Sequence, residues 1–394
     1  MISVKDWSER FLRVQLICLS LIGVGQNESV SNRVLFHMCL ISMAVMDLAA
    51  VLFALENTGN IILVCDCLGP LFTCYLAIQK QLCLNANRTE LWEIINKLRK
   101  LRSKAQTQEV HIFDQSIKID QRLAIAFLTT SSITASLFVV TALVKGLYST
   151  IIQNDANWNF PLSLRFSNHN TILRITQPTI NESSAMFLLY RGENEQSMYQ
   201  YSYIYIYIVA SVSSDAIFAG LISSIVVHFR CIQMRFKDRD FTDQDESLLE
   251  LIEYHKLVLH MSRSLMSSFR MIIFQNLLVA SILLCTLGFQ LVMFLGSSIM
   301  LIYIVYVSAI VIQITFFSYF GSRILHESTL VADAIYCSNW YKASPKVRKV
   351  LLLCMMRAQI PVNVKAVFIV ASLPTMRAIM NSAGSYITLL LSLT

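Results

Sequence analysis

Seven stretches of the sequence are apolar for long enough to cross a bilayer, whose hydrocarbon core takes about 20 residues of helix. They run Val34 to Leu55, Ile61 to Ile78, Ala124 to Leu147, Tyr203 to Val227, Ile272 to Phe294, Ile299 to Tyr319 and Ala366 to Leu391. A helix satisfies its backbone hydrogen bonds internally, as a medium without water demands. Glu56 to Asn60 and Gly296 to Ser298 are too short to be anything but turns, so spans one and two, and spans five and six, are predicted helical hairpins. Pro374 and Arg377 interrupt the seventh span more than any other.

Between the spans the pattern turns amphipathic rather than featureless. In 79–123, Leu91, Ile94, Ile95, Leu98 and Leu101 recur at helical spacing with Glu93, Lys97, Arg99 and Lys100 among them, the signature of a one-faced helix. A basic helix on the inner leaflet fits this pattern, and a calmodulin target is the functional alternative. Ser344 before Pro345 marks a helix start, since serine caps an orphan amide and proline suits the first turn. With helical patterns at Leu248 to Phe269 and Gly321 to Ile335, these stretches predict a helical bundle continuing below the membrane. Val14 to Gly25 reads as a short interfacial helix. As a signal peptide it is poor, because Asp6 and Glu9 spoil the basic start and no small-residue cleavage pattern follows.

Charge fixes direction. Lys and Arg are retained in cytoplasmic loops, and 1–33, 79–123, 230–270 and 320–365 together hold 27 of them, against 3 in the opposite loop 148–202. The N-terminus is therefore cytoplasmic and the C-terminus extracellular, the reverse of a G-protein-coupled receptor. The predicted fold is all-α and polytopic: a cytoplasmic segment 1–33, spans one to six over 34–319, cytoplasmic anchor helices over 320–365, and span seven in 366–394.

Composition agrees, and it narrows the chemistry. The chain of 394 residues is 55% hydrophobic and only 14% charged, against about 25% charged in a soluble domain. A net charge of +7 suggests nucleic acid, but the basic residues lie between apolar spans instead of on one soluble face. None of the 10 cysteines falls in 148–202, so no outer-loop disulfide is available. The pair Cys65 and Cys67 lacks a neighbouring histidine or second cysteine pair, so no metal site is expected. There is no P-loop, GxGxxG or HExxH, and neither an enzyme nor a cofactor is indicated. Carboxylates inside spans, at Asp47, Asp66 and Asp215, are costly and admit a proton-coupled transporter, but no repeat pairs two halves of the chain. Asn181 heads a glycosylation sequon in the outer loop, whereas the sequons at Asn27 and Asn87 fall on the cytoplasmic side.

Two patterns point to function. Tyr199, Tyr201, Tyr203, Tyr205 and Tyr207 ring the outer end of span four, either as an interfacial aromatic belt or as the lining of a ligand site. A pocket for a small apolar ligand needs aromatic and aliphatic walls with few polar groups. Phe72, Tyr75, Phe138, Thr141, Tyr203, Tyr207, Tyr303 and Tyr306 lie where spans two, three, four and six could supply them. In span seven, Asn381, Ser382, Ser385, Thr388 and Ser392 fall within a third of the helix circumference, while Ile379, Ala383, Ile387, Leu390 and Leu391 face elsewhere. Such a stripe either lines an aqueous pore or packs helices through small residues.

Three segments carry a resemblance: Ala334-Ile-Tyr-Cys-Ser-Asn-Trp-Tyr341, Lys349-Val-Leu-Leu-Leu-Cys-Met-Met-Arg-Ala-Gln-Ile-Pro361 and Ser385-Tyr-Ile-Thr-Leu-Leu390. Together they resemble the C-terminal signature of insect odorant receptors. Gustatory receptors share the architecture, but their Thr-Tyr ending followed by Gln-Phe is not found here, and Gly384 stands where many odorant receptors carry a bulkier residue. The resemblance implies a ligand-gated, non-selective cation channel of the plasma membrane of olfactory neuron dendrites. This chain would be the odour-tuning subunit, paired with the shared odorant receptor coreceptor in a heterotetramer. It further implies that a small volatile hydrophobic ligand enters a pocket among spans two to six, and that Leu389, Ser392 and Leu393 stand at the extracellular constriction with Ser385 along the same pore. The cytoplasmic helices would carry most subunit contacts.

Overall fold

A computed structural model describes residues 11–136, apart from 27, 28, 60, 104, 106–108, 117, 120, 121, 124, 128, 134 and 135, and residues 193–393, apart from 240, 242–245, 298 and 299. The elements are α1 (Arg13–Leu21), α2 (Val30–Glu56), α3 (Ile61–Ala86), α4 (Arg88–Ser103), α5 (Glu193–Lys237), α6 (Glu246–Met293), α7 (Met300–Tyr336), a 3₁₀ turn at Trp340–Lys342, α8 (Pro345–Ala358), strands β1 (Lys365–Ala366) and β2 (Ile369–Val370), and α9 (Leu373–Leu393). Further helical residues lie between 110 and 136. Spans one, two, four, five and six are thus α2, α3 and parts of α5, α6 and α7. Among the described residues four helices are long and apolar enough to cross a membrane, in α2, α5, α6 and α7, and α3 and α9 have 26 and 21 residues, enough to span.

α5, α6 and α7 run on without a break into the cytoplasmic bundle that the charge pattern predicts, with 45, 48 and 37 residues. At 1.5 Å per residue each exceeds the bilayer core of about 30 Å, so a single rigid rod joins membrane and anchor. α5 is the central rod: 94% of its apolar window is buried, against 18% for α2, which turns Val34, Met38, Ile41, Val45 and Leu48 outward as a lipid-facing helix does.

One amphipathic segment sits elsewhere than the sequence suggests. α4 buries Leu91, Ile94, Ile95 and Leu98 inside the protein, against α6 and its neighbours, and not on a lipid leaflet. Glu90 explains why: its carboxylate accepts hydrogen bonds from Ser264 and Ser268 of α6, the latter at 2.7 Å, which docks the helix by its first turn. α1 also packs on α5 by one face, leaving Ile17 and Leu21 exposed on the other. Gln15, Cys18 and Leu19 are buried, and Leu12 and Gln15 lie over Gly220, where a Cβ would collide with them.

Span seven begins later than its hydropathy suggests. Residues 365–370 form a short antiparallel hairpin, with Lys365 opposite Val370 and Ala366 opposite Ile369, and the helix starts at Leu373. Pro374 favours this start, because proline is best accommodated in the first turn of a helix, where its missing amide hydrogen costs no bond. The hairpin is held from α7: Ser328 Oγ accepts from the Val362 amide at 3.0 Å and Ser322 Oγ from the Leu373 amide at 2.9 Å. Gly321 lies directly under the Ala371 carbonyl, leaving no room for a Cβ. As its Ser-Pro start predicts, α8 is capped by Ser344, which accepts from the Val347 amide at 3.5 Å, with Pro345 at its first position.

Candidate ligand and pore sites

The outer candidate site forms where α3 meets α7. Gly69 removes a side chain at the crossing, and a Cβ there would stand 3.0 Å from the Tyr306 ring. One turn on, the Thr73 hydroxyl donates back to the carbonyls of Gly69 and Pro70 at 3.0 and 2.9 Å, and the Tyr306 hydroxyl hydrogen-bonds Thr73. Tyr303 stacks on Phe294, just past the end of α6, with ring centroids 5.7 Å apart. Phe72, Tyr303 and Tyr306 are all half-buried and packed on the apolar core. Tyr306 thus meets the α3 face of Gly69 and Thr73, Tyr303 lies one turn away on α7 and Phe72 adjoins Thr73 on α3, mainly apolar surroundings of the kind a small hydrophobic ligand requires.

Tyr75, on the same helix, is more open than these three: it is 37% exposed. Phe138 and Thr141 lie outside the described residues, as does Asn181. Tyr203 and Tyr207 belong to the backbone of α5, and their side chains lie outside the described ones. A cleft of about 250 Å³ at the cytoplasmic end is lined by Glu109, Arg235, Asp238, Arg239 and Glu250 among others, walls too charged for an apolar ligand.

On α9, packing and polarity divide the circumference. Ala383 is buried, and Ile387 fits against Gly288 of α6, where a Cβ would come within 2.7 Å of its Cγ1. Met376, Ile379 and Met380 also pack on the core. The polar stripe faces away from every one of these. Ser382, Ser385, Thr388 and Ser392 are exposed, with hydroxyls donating to carbonyls of their own helix at 2.7 to 3.0 Å. Leu389 is 56% exposed beside them. Leu391, expected on the packed face, is 47% exposed, and the side chains of Leu390 and Leu393 lie outside the described ones. The helix thus presents small hydroxyls and Leu389 outward from its own subunit, and α6 takes the apolar side.

Sequence reasoning missed a buried polar network. Lys80 of α3 and Asp215 of α5, each with 1% of its side chain exposed, form an ion pair at 2.7 Å. Lys80 also donates to Ser211 at 3.2 Å, and Gln313 of α7 donates to Asp215 at 2.9 Å and to Asn276 of α6 at 3.2 Å. Lys80 falls just past the predicted end of span two, so in the sequence Asp215 stands with Asp47 and Asp66 as a candidate proton carrier and not as half of a pair. With Lys80 bridging its carboxylate, it has a structural partner instead. Lower still, Arg235 grips Glu109 through two bonds of 2.7 and 2.8 Å, and Arg230 reaches Glu327 at 2.8 Å. Among the described residues no group of His, Cys, Asp and Glu could hold a metal ion.

The chain is similar to known proteins over nearly its whole length. A family profile described as 7tm Odorant receptor matches residues 60–384. Odorant receptor 82a of Drosophila melanogaster is 24% identical, with 98% of this chain and 99% of that one aligned. Odorant receptor 22c of the same fly is 22% identical over 97% of each. The solved structure of the olfactory receptor OR5 from Machilis hrabei in complex with eugenol covers 99% of both chains with a TM-score of 0.75 at 16% identity, which establishes a shared fold.

Proposed function

We propose, from the premise that this chain belongs to the seven-transmembrane odorant receptor family, that it is the odour-tuning subunit of an odorant-gated, non-selective cation channel. It works in the plasma membrane of olfactory neurons, at the dendrite. One observation carries the reading: α9 packs by one side and leaves a stripe of hydroxyls, Ser385 and Ser392 among them, facing out of the subunit. A monomer gains nothing from a polar stripe turned toward lipid, whereas a ring of such helices encloses a path in which hydroxyls hydrate a cation and Leu389 and Leu393 form a constriction that closes by excluding water.

The ligand is a small volatile hydrophobic molecule. Phe72, Tyr303 and Tyr306 supply its aromatic walls, with Phe138, Thr141, Tyr203 and Tyr207 completing the pocket and the Tyr306 hydroxyl offering a polar handle. OR5, which shares the fold, is described in complex with eugenol, an aromatic volatile of the size such walls suit. The partner is the odorant receptor coreceptor, in a heterotetramer. Leu352, Leu353 and Met356 of α8, exposed on the cytoplasmic anchor beside Tyr336 and Ile360, give the apolar area that subunit packing would cover. Asn181 is the site of glycan attachment.

The test is whole-cell recording of the chain expressed alone and with a coreceptor, while volatile esters, alcohols and aromatics are applied. Odour-evoked cation current only in co-expression is expected. Robust current from the chain alone would replace the heteromer with a homomeric channel, and no current with any coreceptor would overturn the channel reading.

A further inference from the structure

The Lys80, Asp215, Gln313 and Asn276 network has no part in ligand contact or ion passage as argued above, yet it places two full charges inside a membrane bundle. Such residues are expensive in that setting and commonly mark function. Its position is informative. Lys80 stands two turns below Thr73 on α3, and Gln313 two turns below Tyr306 on α7, so the network links the same two helices about 10 Å deeper, through Asp215 of α5. The two levels are built differently. At the upper one, α3 touches α7 through a glycine, a ring and one hydroxyl pair, beside Pro70, which interrupts the helix's hydrogen bonding. At the lower one, α3 is tied to α5 by an ion pair shielded from water, and the Gln313 amide ties α7 both to α5 and to α6. Each helix it joins to α3 is one of the unbroken rods entering the anchor.

We propose that Lys80 and Asp215 are positioning residues for gating: they form the fulcrum on which displacement of the outer part of α3 by ligand turns into movement of α5, α6 and α7. This inference rests on the channel reading. A fulcrum must hold one point while the arm above it moves. The buried pair fixes α3 at Lys80, and the glycine and proline at 69 and 70 leave the arm above free to shift. Breaking the tie uncouples occupancy from opening, so the maximal response falls while ligand affinity is kept.

The experiment co-expresses variants with the coreceptor and records full concentration–response curves to eugenol, ethyl butyrate and 1-octanol, with a synthetic coreceptor agonist as a control and surface labelling to normalise. Losing one partner strands a buried charge, so the decisive variant removes both, Lys80→Met with Asp215→Leu, a replacement that buried ion pairs often tolerate. Its maximal odour current should fall about fivefold or more with the half-maximal concentration within about twofold of wild type and the coreceptor agonist response intact. The charge swap Lys80→Asp with Asp215→Lys should recover part of the loss. Gln313→Met keeps the pair but cuts its tie to α7, and should lower the maximum in the same way; it decides the matter if the double variant does not reach the surface. An unchanged maximum in a surface-expressed double variant, or in Gln313→Met, overturns the proposal. Absence of odour current from the wild-type pair would instead defeat the channel reading, a different result.

Discussion

The outer and cytoplasmic halves of the same helices are built from different interactions. Outside, α3, α6 and α7 meet through stacked and half-buried rings, with Tyr306 and Thr73 as the cross-helix polar link. Inside, they are tied by charge-assisted bonds at successive depths: Lys80 to Asp215, Arg230 to Glu327, Arg235 to Glu109, and the Glu90 carboxylate to two serines of α6. Rings packed on rings can be rearranged at small cost, because dispersion is non-directional and spread over many atoms. A buried carboxylate with fixed donors has one good geometry and severe penalties for others. The same rods are thus adaptable at the ligand end and unyielding at the anchor, a division suited to a receptor that must recognise varied volatiles without altering its assembly.

The comparison breaks most visibly at Arg235. Arg235→Met strands Glu109, which is 2% exposed, and should cost about 3 to 5 kcal/mol, enough to remove most receptor from the surface when measured by surface biotinylation. Leu98→Ala opens a cavity in the fully buried face of α4; a loss of about 2 to 4 kcal/mol is expected, read as a lower melting temperature of detergent-purified receptor. A loss under about 0.5 kcal/mol would return α4 to a leaflet-bound helix. At the outer end the effects are smaller and different in kind. Tyr306→Phe deletes one hydroxyl worth about 1 kcal/mol, so half-maximal concentrations for odorants with a polar group should shift about fivefold with surface level unchanged. Tyr75→Ala should shift them less, because Tyr75 is more exposed and has less packing to lose. On α9, Ser392→Lys should lower cation permeability, seen as a changed reversal potential under altered gradients, and Ala383→Lys should instead abolish surface expression by burying a charge.

How much of this the sequence disclosed depends on the range over which each signal acts. Helix existence and order were legible because apolar length and Lys and Arg placement are local quantities, and Ser344 with Pro345 announced its own cap. The polar stripe of α9 was legible for the same reason: a periodicity needs no partner to be seen. The start of α9 was misjudged where hydropathy ignored Pro374. The burial of α4 was misread because amphipathicity says that a face is covered, and not by what; Glu90 with Ser264 and Ser268, like Gly220 under Leu12, are pairings that long stretches of intervening chain conceal. In the candidate ligand site, aromatic type singled out Phe72, Tyr303 and Tyr306 but could not see Gly69, whose contribution is an absent side chain. Lys80 was passed over because it stands just beyond a span end, where cations are ordinary.

The central claim is that the outer level sets which odorant is recognised and the cytoplasmic level sets only whether the receptor stands and opens. The most direct measurement is the rank order of a fixed odorant panel for Tyr303→Ala, at the outer level, beside Glu90→Gln, at the inner one, each co-expressed with the coreceptor and normalised to surface receptor. Tyr303→Ala should reorder the panel, and Glu90→Gln should scale every response by one common factor. Reordering by Glu90→Gln, or an unchanged order for Tyr303→Ala, would contradict the division on which the account rests.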